Sequence, residues 1–413
     1  VFIAASFTTR ERFMTATGHS ARTYPFGPAE KLDINPAYAQ LRREEPLTRV
    51  ELPYGGEAWL ATRYDDIKTV LADSRFSRAE TVGKDVPRTT PVIQRDVSIL
   101  SMDPPEHSRL RRLVAKAFTA RHIEKLRPRA QAIIDELLDR MIESGSPADL
   151  TESLSWPLPI TVICELLGVP VEDRDRFRAW TDLLLSFAGS EAAQIEEARD
   201  NINAYLAELI AQRRQAPTDD LLGQLVVARD EGNRLSEQEL ITFGVTLLVA
   251  GHETTANQTG NFVYQLLTQR ELWQVLVDDP TLVPQAVEEL LRITPLGASA
   301  GFPRIATEDL ELGGQLVRKG DAVLVQIASA NRDGAVFDRP DEIDFTRTDN
   351  PHVAFGHGVH HCLGAPLARL ELQLAVGTLV RRLPELRLAV PADEVPWRAN
   401  RLVRGVRALP VAW

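Results

Sequence analysis

Cys362 stands in the run Phe355-Gly356-His357-Gly358-Val359-His360-His361-Cys362-Leu363-Gly364, directly before a helix-like pattern that begins at Ala365. Glycines let a backbone come close to a flat group and take dihedral angles that other residues resist. A helix start adds peptide N–H groups and partial positive charge, which favour thiolate over thiol. Together these features suit a thiolate ligand for one soft metal centre. A zinc site built from His357, His360, His361 and Cys362 is an alternative. Four ligands so close in one loop converge poorly on a tetrahedron, however, and no CxxC accompanies them. Covalent c-type haem attachment needs CxxCH, which the sequence lacks.

Three other constellations carry chemistry. Ala250-Gly251-His252-Glu253-Thr254-Thr255 interrupts an apolar helical run with polar residues, a local conflict of the kind expected at functional positions. Thr254 is placed to bond back to the carbonyl of Ala250, which loosens a helix locally. Glu289 and Arg292 are three apart and share a helix face, so they can pair laterally. His107 and Arg111 lie one helical turn apart and can reach the same anionic group.

The elements that must position these groups are mostly helical. Three- and four-residue apolar spacing predicts helices over 130–142, 195–214, 236–269, 283–292 and 365–382. Ser236 and Glu239 form a capping box at the start of the longest. Its stretch 243–251 is apolar on nearly every side and reads as core. Strands are expected at 47–52 and 58–62 around the turn Pro53-Tyr54-Gly55-Gly56, at 310–312 and 322–327, and more loosely over 403–411. Residues 77–99 lack any period and read as a long loop, which in a compact domain points to function or disorder. The sum is a mainly α, helix-rich α+β fold with small sheets towards both ends. It forms a single domain over 23–413 behind a flexible tail at 1–22.

Composition narrows the class. The chain has 413 residues, 44% hydrophobic and 25% charged, enough for a large core without staples. Its only cysteines are Cys164 and Cys362, which leaves no disulfide framework and fits a reducing compartment. Cys164, in an apolar run, reads as a small buried hydrophobe. A formal charge of −11 argues against nucleic acid or an anionic membrane as the main partner. No segment approaches the roughly 20 apolar residues that span a bilayer. A cytoplasmic protein is expected.

Taken together, the motifs resemble the cytochrome P-450 monooxygenases, the thiolate-ligated haem enzymes, from about Tyr24 to Trp413. The likeness is strongest to soluble actinobacterial members that oxidise macrolides and other polyketides. It implies a single cytochrome P-450-type fold, with haem b between the long central helix and the cysteine loop. Cys362 becomes the axial iron ligand, and Phe355, Gly251 and Gly364 border the cofactor. A thiolate is suited to oxygen activation because it donates electron density to the iron. His107, Arg111, Arg304 and His360 become partners of the haem carboxylates. The resemblance assigns Thr254 to stabilising oxygen at the iron and Glu253 to proton delivery, with small Ala250 and Gly251 leaving room for dioxygen. Glu289 and Arg292, completed by Arg347, become a buried structural node behind the cysteine loop. Substrate would be lined by Leu100, Thr246, Val249, Ala250, Leu296, Ala300 and Leu402.

The activity so implied inserts one oxygen atom from O2 into a large apolar secondary metabolite, by hydroxylation or epoxidation. Electrons would come from a ferredoxin and its reductase to a monomeric enzyme. A basic patch of Arg109, Arg112, Lys116 and Arg369 on the cysteine side would dock the acidic donor. Other readings are the same fold acting on a terpenoid, steroid or fatty acid, and a haem-containing sensor without turnover.

Overall fold

The computed structural model describes residues 21–27, 30–91, 93–95, 97–115, 117–184, 192–230, 235–399 and 401–413. Most of the tail expected at 1–22 lies outside these residues. Arg22–Thr23 is already a short strand, parallel to the segment at Val50 and Glu51.

The predicted hairpin forms. Leu47–Glu51 and Glu57–Ala61 pair antiparallel, with Leu47 opposite Ala61 and Glu51 opposite Glu57. Gly55 in the connecting turn has φ +75°, and a Cβ there would lie 2.1 Å from the carbonyl oxygen of Val86. Only glycine satisfies both conditions. The hairpin belongs to a six-stranded mixed sheet. Its spatial order is Arg22–Thr23, Leu47–Glu51, Glu57–Ala61, Ala322–Val325, Arg304–Ala306 and Phe76–Ser77. Alternate residues such as Val50, Leu60 and Val323 are buried at its faces. Smaller sheets join Arg387–Leu388, Pro410–Ala412 and Ala148–Asp149, and Leu310–Leu312 with Gln315–Val317.

Helices supply the rest of the frame, including Arg127–Ser144, Pro157–Leu167, Ala192–Gln215, Glu237–Thr268, Val283–Ile293 and Ala365–Arg382. The central helix Glu237–Thr268 starts with the expected capping box. Ser236 Oγ accepts from Glu239 N at 3.1 Å, and Glu239 Oε2 accepts from Ser236 N at 2.7 Å. This helix packs against Pro157–Leu167, Ala192–Gln215 and Ala365–Arg382, at the centre of the largest hydrophobic cluster.

Two expectations are corrected. The run 243–251 is not buried all round. Phe243, Gly244 and Leu248 are buried, but Thr246 and Val249 are half-buried and Ala250 is exposed. With Thr254, these open positions follow the i, i+3, i+4, i+8 spacing of a single helix stripe. Val245, Leu247 and Gly251 are half-buried too, so the helix is only partly covered here and is most open at Ala250, the one exposed position of the run. The loose strand at 403–411 is also absent, and only Pro410–Ala412 is a strand. The preceding backbone divides its hydrogen bonds between two partners. Arg404 N donates to Leu296 O at 2.7 Å, and Arg407 N donates to Pro396 O at 2.7 Å. No single neighbour runs alongside it for long enough to make a ladder.

The 77–99 segment is mostly loop, as expected, but it is well anchored. Tyr54 and Arg88 exchange both backbone hydrogen bonds, and Gly83 N donates to Gln94 O at 2.8 Å. Among the described residues no helix is long and apolar enough to cross a membrane.

Candidate active site

The cysteine loop takes its shape from two left-handed glycines, Gly356 at φ +72° and Gly358 at φ +69°. A Cβ on Gly358 would lie 2.5 Å from Leu71 O, so the loop presses on the helix Tyr64–Ala72. Cys362 N donates to Phe355 O at 2.9 Å, closing the loop. Arg111 Nη2 donates to His361 O at 2.6 Å. Behind the loop, the Arg369 guanidinium lies 4.5 Å over the Phe355 ring and binds Glu288 through two bonds of 2.7 and 2.9 Å. His352 Nε2 completes that brace, 3.0 Å from Glu288 Oε2. The two partners pull the Glu288 carboxyl down to about 2 despite its burial. Glu288 and His352 were not anticipated, because nothing in their local spacing marks them.

Cys362 itself is exposed, yet loss of surrounding water pushes its thiol up. The amide of Gly364, the charge of Arg111 and the amide of Ala365 oppose that rise. Cys362 is thus an exposed residue whose thiol is nonetheless largely withdrawn from water by the surrounding protein. Cys164 is the opposite case, fully buried, with its thiol pushed up to about 12 by desolvation.

Beside the loop, basic groups gather around a single carboxylate, Asp103, among the described residues. Arg304 is 6% exposed, and no hydrogen bond to its guanidinium is found among the described residues. Desolvation lowers it to about 10. His107 is 1% exposed with Nδ1 unpaired, and His360 Nε2 is buried and unpaired as well. Their rings lie 4.4 Å apart. Burial and the neighbouring His107, Arg304 and Arg78 push His360 down to about 3. Arg78, also unanticipated, is 4% exposed and lowered to about 9 by desolvation and by Arg304. Buried charges are costly unless paired. Two guanidinia and two orphaned imidazole nitrogens beside an accessible sulfur therefore fit the carboxylates and the iron of the haem that the sequence implies.

On the open stripe of the central helix, Thr254 Oγ1 donates to Ala250 O at 2.9 Å, the back-bond expected from spacing. Thr246 does the same to Thr242 O at 2.7 Å and is left presenting its methyl group. The reading of Gly251 changes. A Cβ there would lie 2.9 Å from Ile163 Cγ1, so its missing side chain admits the helix Pro157–Leu167 rather than enlarging the open space. At Gly364 a Cβ would be 4.0 Å from the Cys362 sulfur, an ordinary contact.

Glu253 points away from Thr254. It is 1% exposed, and its Oε1 accepts from Asn257 Nδ2 at 3.0 Å and from Arg398 Nη1 at 3.3 Å, whereas its Oε2 has no partner. Arg398 is also 3.0 Å from Asp182. Desolvation raises Glu253 to about 7 against the lowering effect of Arg398. It is a carboxyl that holds a proton near neutrality, with one oxygen free. Next to it, His252 is held neutral by burial, at about 4, between Leu248 O and Thr181 Oγ1.

The Glu289 node is fully assembled. Arg292 reaches it through Nε at 2.9 Å and Nη2 at 2.6 Å, and Arg347 Nε adds a contact at 3.2 Å. Arg292 also donates to the carbonyls of Asn331, Pro340 and Glu342 at 2.8, 2.6 and 2.8 Å.

Among the proposed lining positions, Leu100 is exposed, and Leu296 and Leu402 are half-buried. The latter two lie on segments linked by Ala298 N to Leu402 O at 3.1 Å. Ala300 does not face the open space. It is 1% exposed in the cluster around Tyr24 and Leu60, where Tyr24 Oη accepts from its amide at 2.6 Å. The basic patch is also smaller than expected. Arg109 is paired with Glu239, Arg369 with Glu288, and Lys116 lies outside the described residues. Arg112 is exposed, and among the described residues its guanidinium bonds Ser108 O at 3.0 Å.

The family model for cytochrome P-450 matches residues 42–394. The chain is 53% identical to nocardicin C N-oxygenase of Nocardia uniformis subsp. tsuyamanensis, over 97% of this chain and 100% of that protein. It is 51% identical to mycinamicin IV hydroxylase/epoxidase of Micromonospora griseorubida, over 96% and 100% respectively. Among solved structures, the LnmA cytochrome P-450 hydroxylase from the leinamycin biosynthetic pathway of Streptomyces atroolivaceus superposes with a TM-score of 0.89. It is 53% identical, with 95% of this chain and 100% of that one covered.

Proposed function

This chain belongs to the cytochrome P-450 family of monooxygenases, and from that premise we propose that it oxidises a macrolide or other large apolar polyketide, with Cys362 as the axial ligand of haem b. The observation that carries the site assignment is the conjunction of an exposed Cys362 with the buried Arg304 guanidinium and the unpaired ring nitrogens of buried His107 and His360. When bound, the haem activates dioxygen with two electrons and supplies one oxygen atom to the substrate.

The protein's own residues do the rest. His107, Arg111, Arg304 and His360 hold the haem carboxylates and thereby orient the ring. Ala250 keeps the open stripe of the central helix low, and Thr254 places a hydroxyl beside it. Glu253 stores a proton in the dry interior, while Asn257 and Arg398 fix one of its oxygens and leave the other to release that proton. Leu100, Thr246, Val249, Leu296 and Leu402 offer apolar surface to a large substrate. The mycinamicin, nocardicin and leinamycin oxidations of the relatives span different substrates, so the choice of polyketide rests on the small, apolar lining and on the likeness to the macrolide oxidase. A ferredoxin with its reductase supplies the electrons to a monomer in the cytoplasm, docking near exposed Arg112.

Two measurements test this reading. The reduced, carbon-monoxide-bound protein should show the strongly red-shifted Soret band of thiolate haem, and its absence would overturn the cofactor assignment. Titration with macrolides and their precursors should shift the ferric spin state. A response only to steroids, terpenoids or fatty acids would move the enzyme to another substrate class.

Glu253→Gln tests the proton role. Glu253 titrates near 7 and acts as an acid, so wild-type coupled product formation should fall as pH rises through about 7. The amide has no proton to give, so the variant should lose about a hundredfold in coupled turnover, the scale of a positioned general acid. It should also lose the limb near neutrality. Persistence of that limb in the variant would assign it to another group.

A further inference from the structure

We propose that Arg78 is a positioning residue that ties the haem-carboxylate cradle to the loop lining the substrate side, so that the order of that loop depends on the cradle being filled. The proposal rests on the haem-binding reading above and adds a residue outside the expected carboxylate set.

The placement follows from where a strand pair ends. Phe76 pairs with Ala306 and Ser77 with Ile305. The strand ends there, and Arg78 turns out of it in a helical conformation, close enough to Arg304 for the two charges to repel. Both side chains are nevertheless buried, at 4% and 6% exposure. The nearest carboxylate, Asp103, is committed elsewhere. Its Oδ1 accepts from the Arg78 backbone amide at 2.9 Å, and its Oδ2 accepts from Ser77 Oγ and, at 3.4 Å, from the Ala79 amide. Asp103 thus locks the backbone of 77–79. Its charge offsets part of the repulsion, but among the described residues neither guanidinium forms a direct ion pair with it. A dianion in the cradle would convert this repulsion into shared attraction.

The Arg78 side chain spans two segments. Its Nε donates to Leu100 O at 3.1 Å, and its Nη1 donates to Pro303 O at 2.7 Å, 225 residues away in sequence. Its guanidinium also lies 4.9 Å over the Phe302 ring. Leu100 is an exposed residue at the end of the long loop and one of the proposed substrate contacts. Pro303 immediately precedes Arg304 of the cradle. One rigid fork therefore joins the two, and it can hold both carbonyls only while its charge is tolerated beside Arg304. Carboxylate binding in the cradle raises that tolerance and so secures the loop end.

The test uses the holoenzyme with Arg78→Gln and Arg78→Lys. Haem transfer to apomyoglobin and amide hydrogen exchange over 97–103 are measured beside the carbon-monoxide spectrum. Arg78→Gln should release haem roughly tenfold faster or more, the scale of one charge-assisted hydrogen bond. It should also exchange faster over 97–103, while retaining the thiolate-type band. Arg78→Lys keeps the charge without the planar fork. It should restore most of the haem retention and leave the loop under-protected. Unchanged haem release in Arg78→Gln would remove Arg78 from the cradle, and unchanged exchange would remove the tie. Full loop protection in Arg78→Lys would show that charge alone suffices and overturn the fork. If Arg78→Gln does not fold, Arg78→Lys still decides the point through its loop exchange. A wild-type protein without the thiolate band would instead defeat the haem reading itself.

Discussion

Cys362→Ser protein will fold and lose the strongly red-shifted Soret band, and its monooxygenase activity will fall to background. The fold should survive because the loop is closed without the sulfur. Cys362 N bonds Phe355 O, Arg111 bonds His361 O, and the Arg369–Glu288–His352 brace holds Phe355 from behind. The exposed thiol fills no packed space whose loss would leave a cavity. Activity should vanish because a serine hydroxyl at neutral pH offers neither the anion nor the soft donor density of a thiolate. Haem can remain in the variant, since the cationic cradle is untouched, so the spectrum separates lost ligation from lost cofactor. A band unchanged in position would place the iron ligand elsewhere.

The second large effect is on stability. Arg292→Ala should destabilise the protein by about 3–5 kcal/mol, the scale for removing one partner of a buried ion pair. Arg292 and Glu289 have side-chain exposures of 0% and 1%, so water cannot replace what is lost. The deletion also strands the carbonyls of Asn331, Pro340 and Glu342, which Arg292 joins across the chain. Arg292→Lys should recover only part of the loss, because an ammonium cannot pair with the carboxylate bidentately and also reach three carbonyls. Urea unfolding measures the difference, and it should change little with added salt because the pair is buried. A loss below 1 kcal/mol would reduce the node to an ordinary surface-type pair.

Much of this site was legible in the sequence wherever the relevant geometry is local. The Thr254–Ala250 back-bond, the Ser236–Glu239 capping box and the Glu289–Arg292 pair each lie within four residues on one helix, where 3.6-residue periodicity alone sets the distance. The long helices emerged close to their observed limits for the same reason, with Ala365–Arg382 matching at both ends. The apolar run at 243–251 was misjudged in one respect. Composition marks a segment as suited to burial, but it does not say whether protein or a cofactor will cover each face.

Charge placement was the other source of error. Arg369 and Arg109 read as free docking cations because sequence shows a charge without its partner, and Glu288 and Glu239 lie far along the chain. Arg78 and Glu253 show the same limit from the opposite side. Nothing local distinguishes Arg78 from the other arginines of its loop, and only the folded chain brings it near Arg304, just past the end of the strand pair. Glu253 is adjacent to Thr254 in sequence, but helix geometry turns it towards Arg398 and Asp182, and burial then moves its titration to about 7.

The sequence by itself pointed to the reaction class and the fold family, because the resemblance that carries them rests on motifs with residue types at fixed short spacings. It also marked Cys362 as the candidate iron ligand. Tertiary structure alone decided which charges are sequestered, which carboxyl holds a proton at neutrality and which glycine serves packing. Those properties depend on desolvation and on partners tens to hundreds of residues away, and neither exists until the chain has closed on itself.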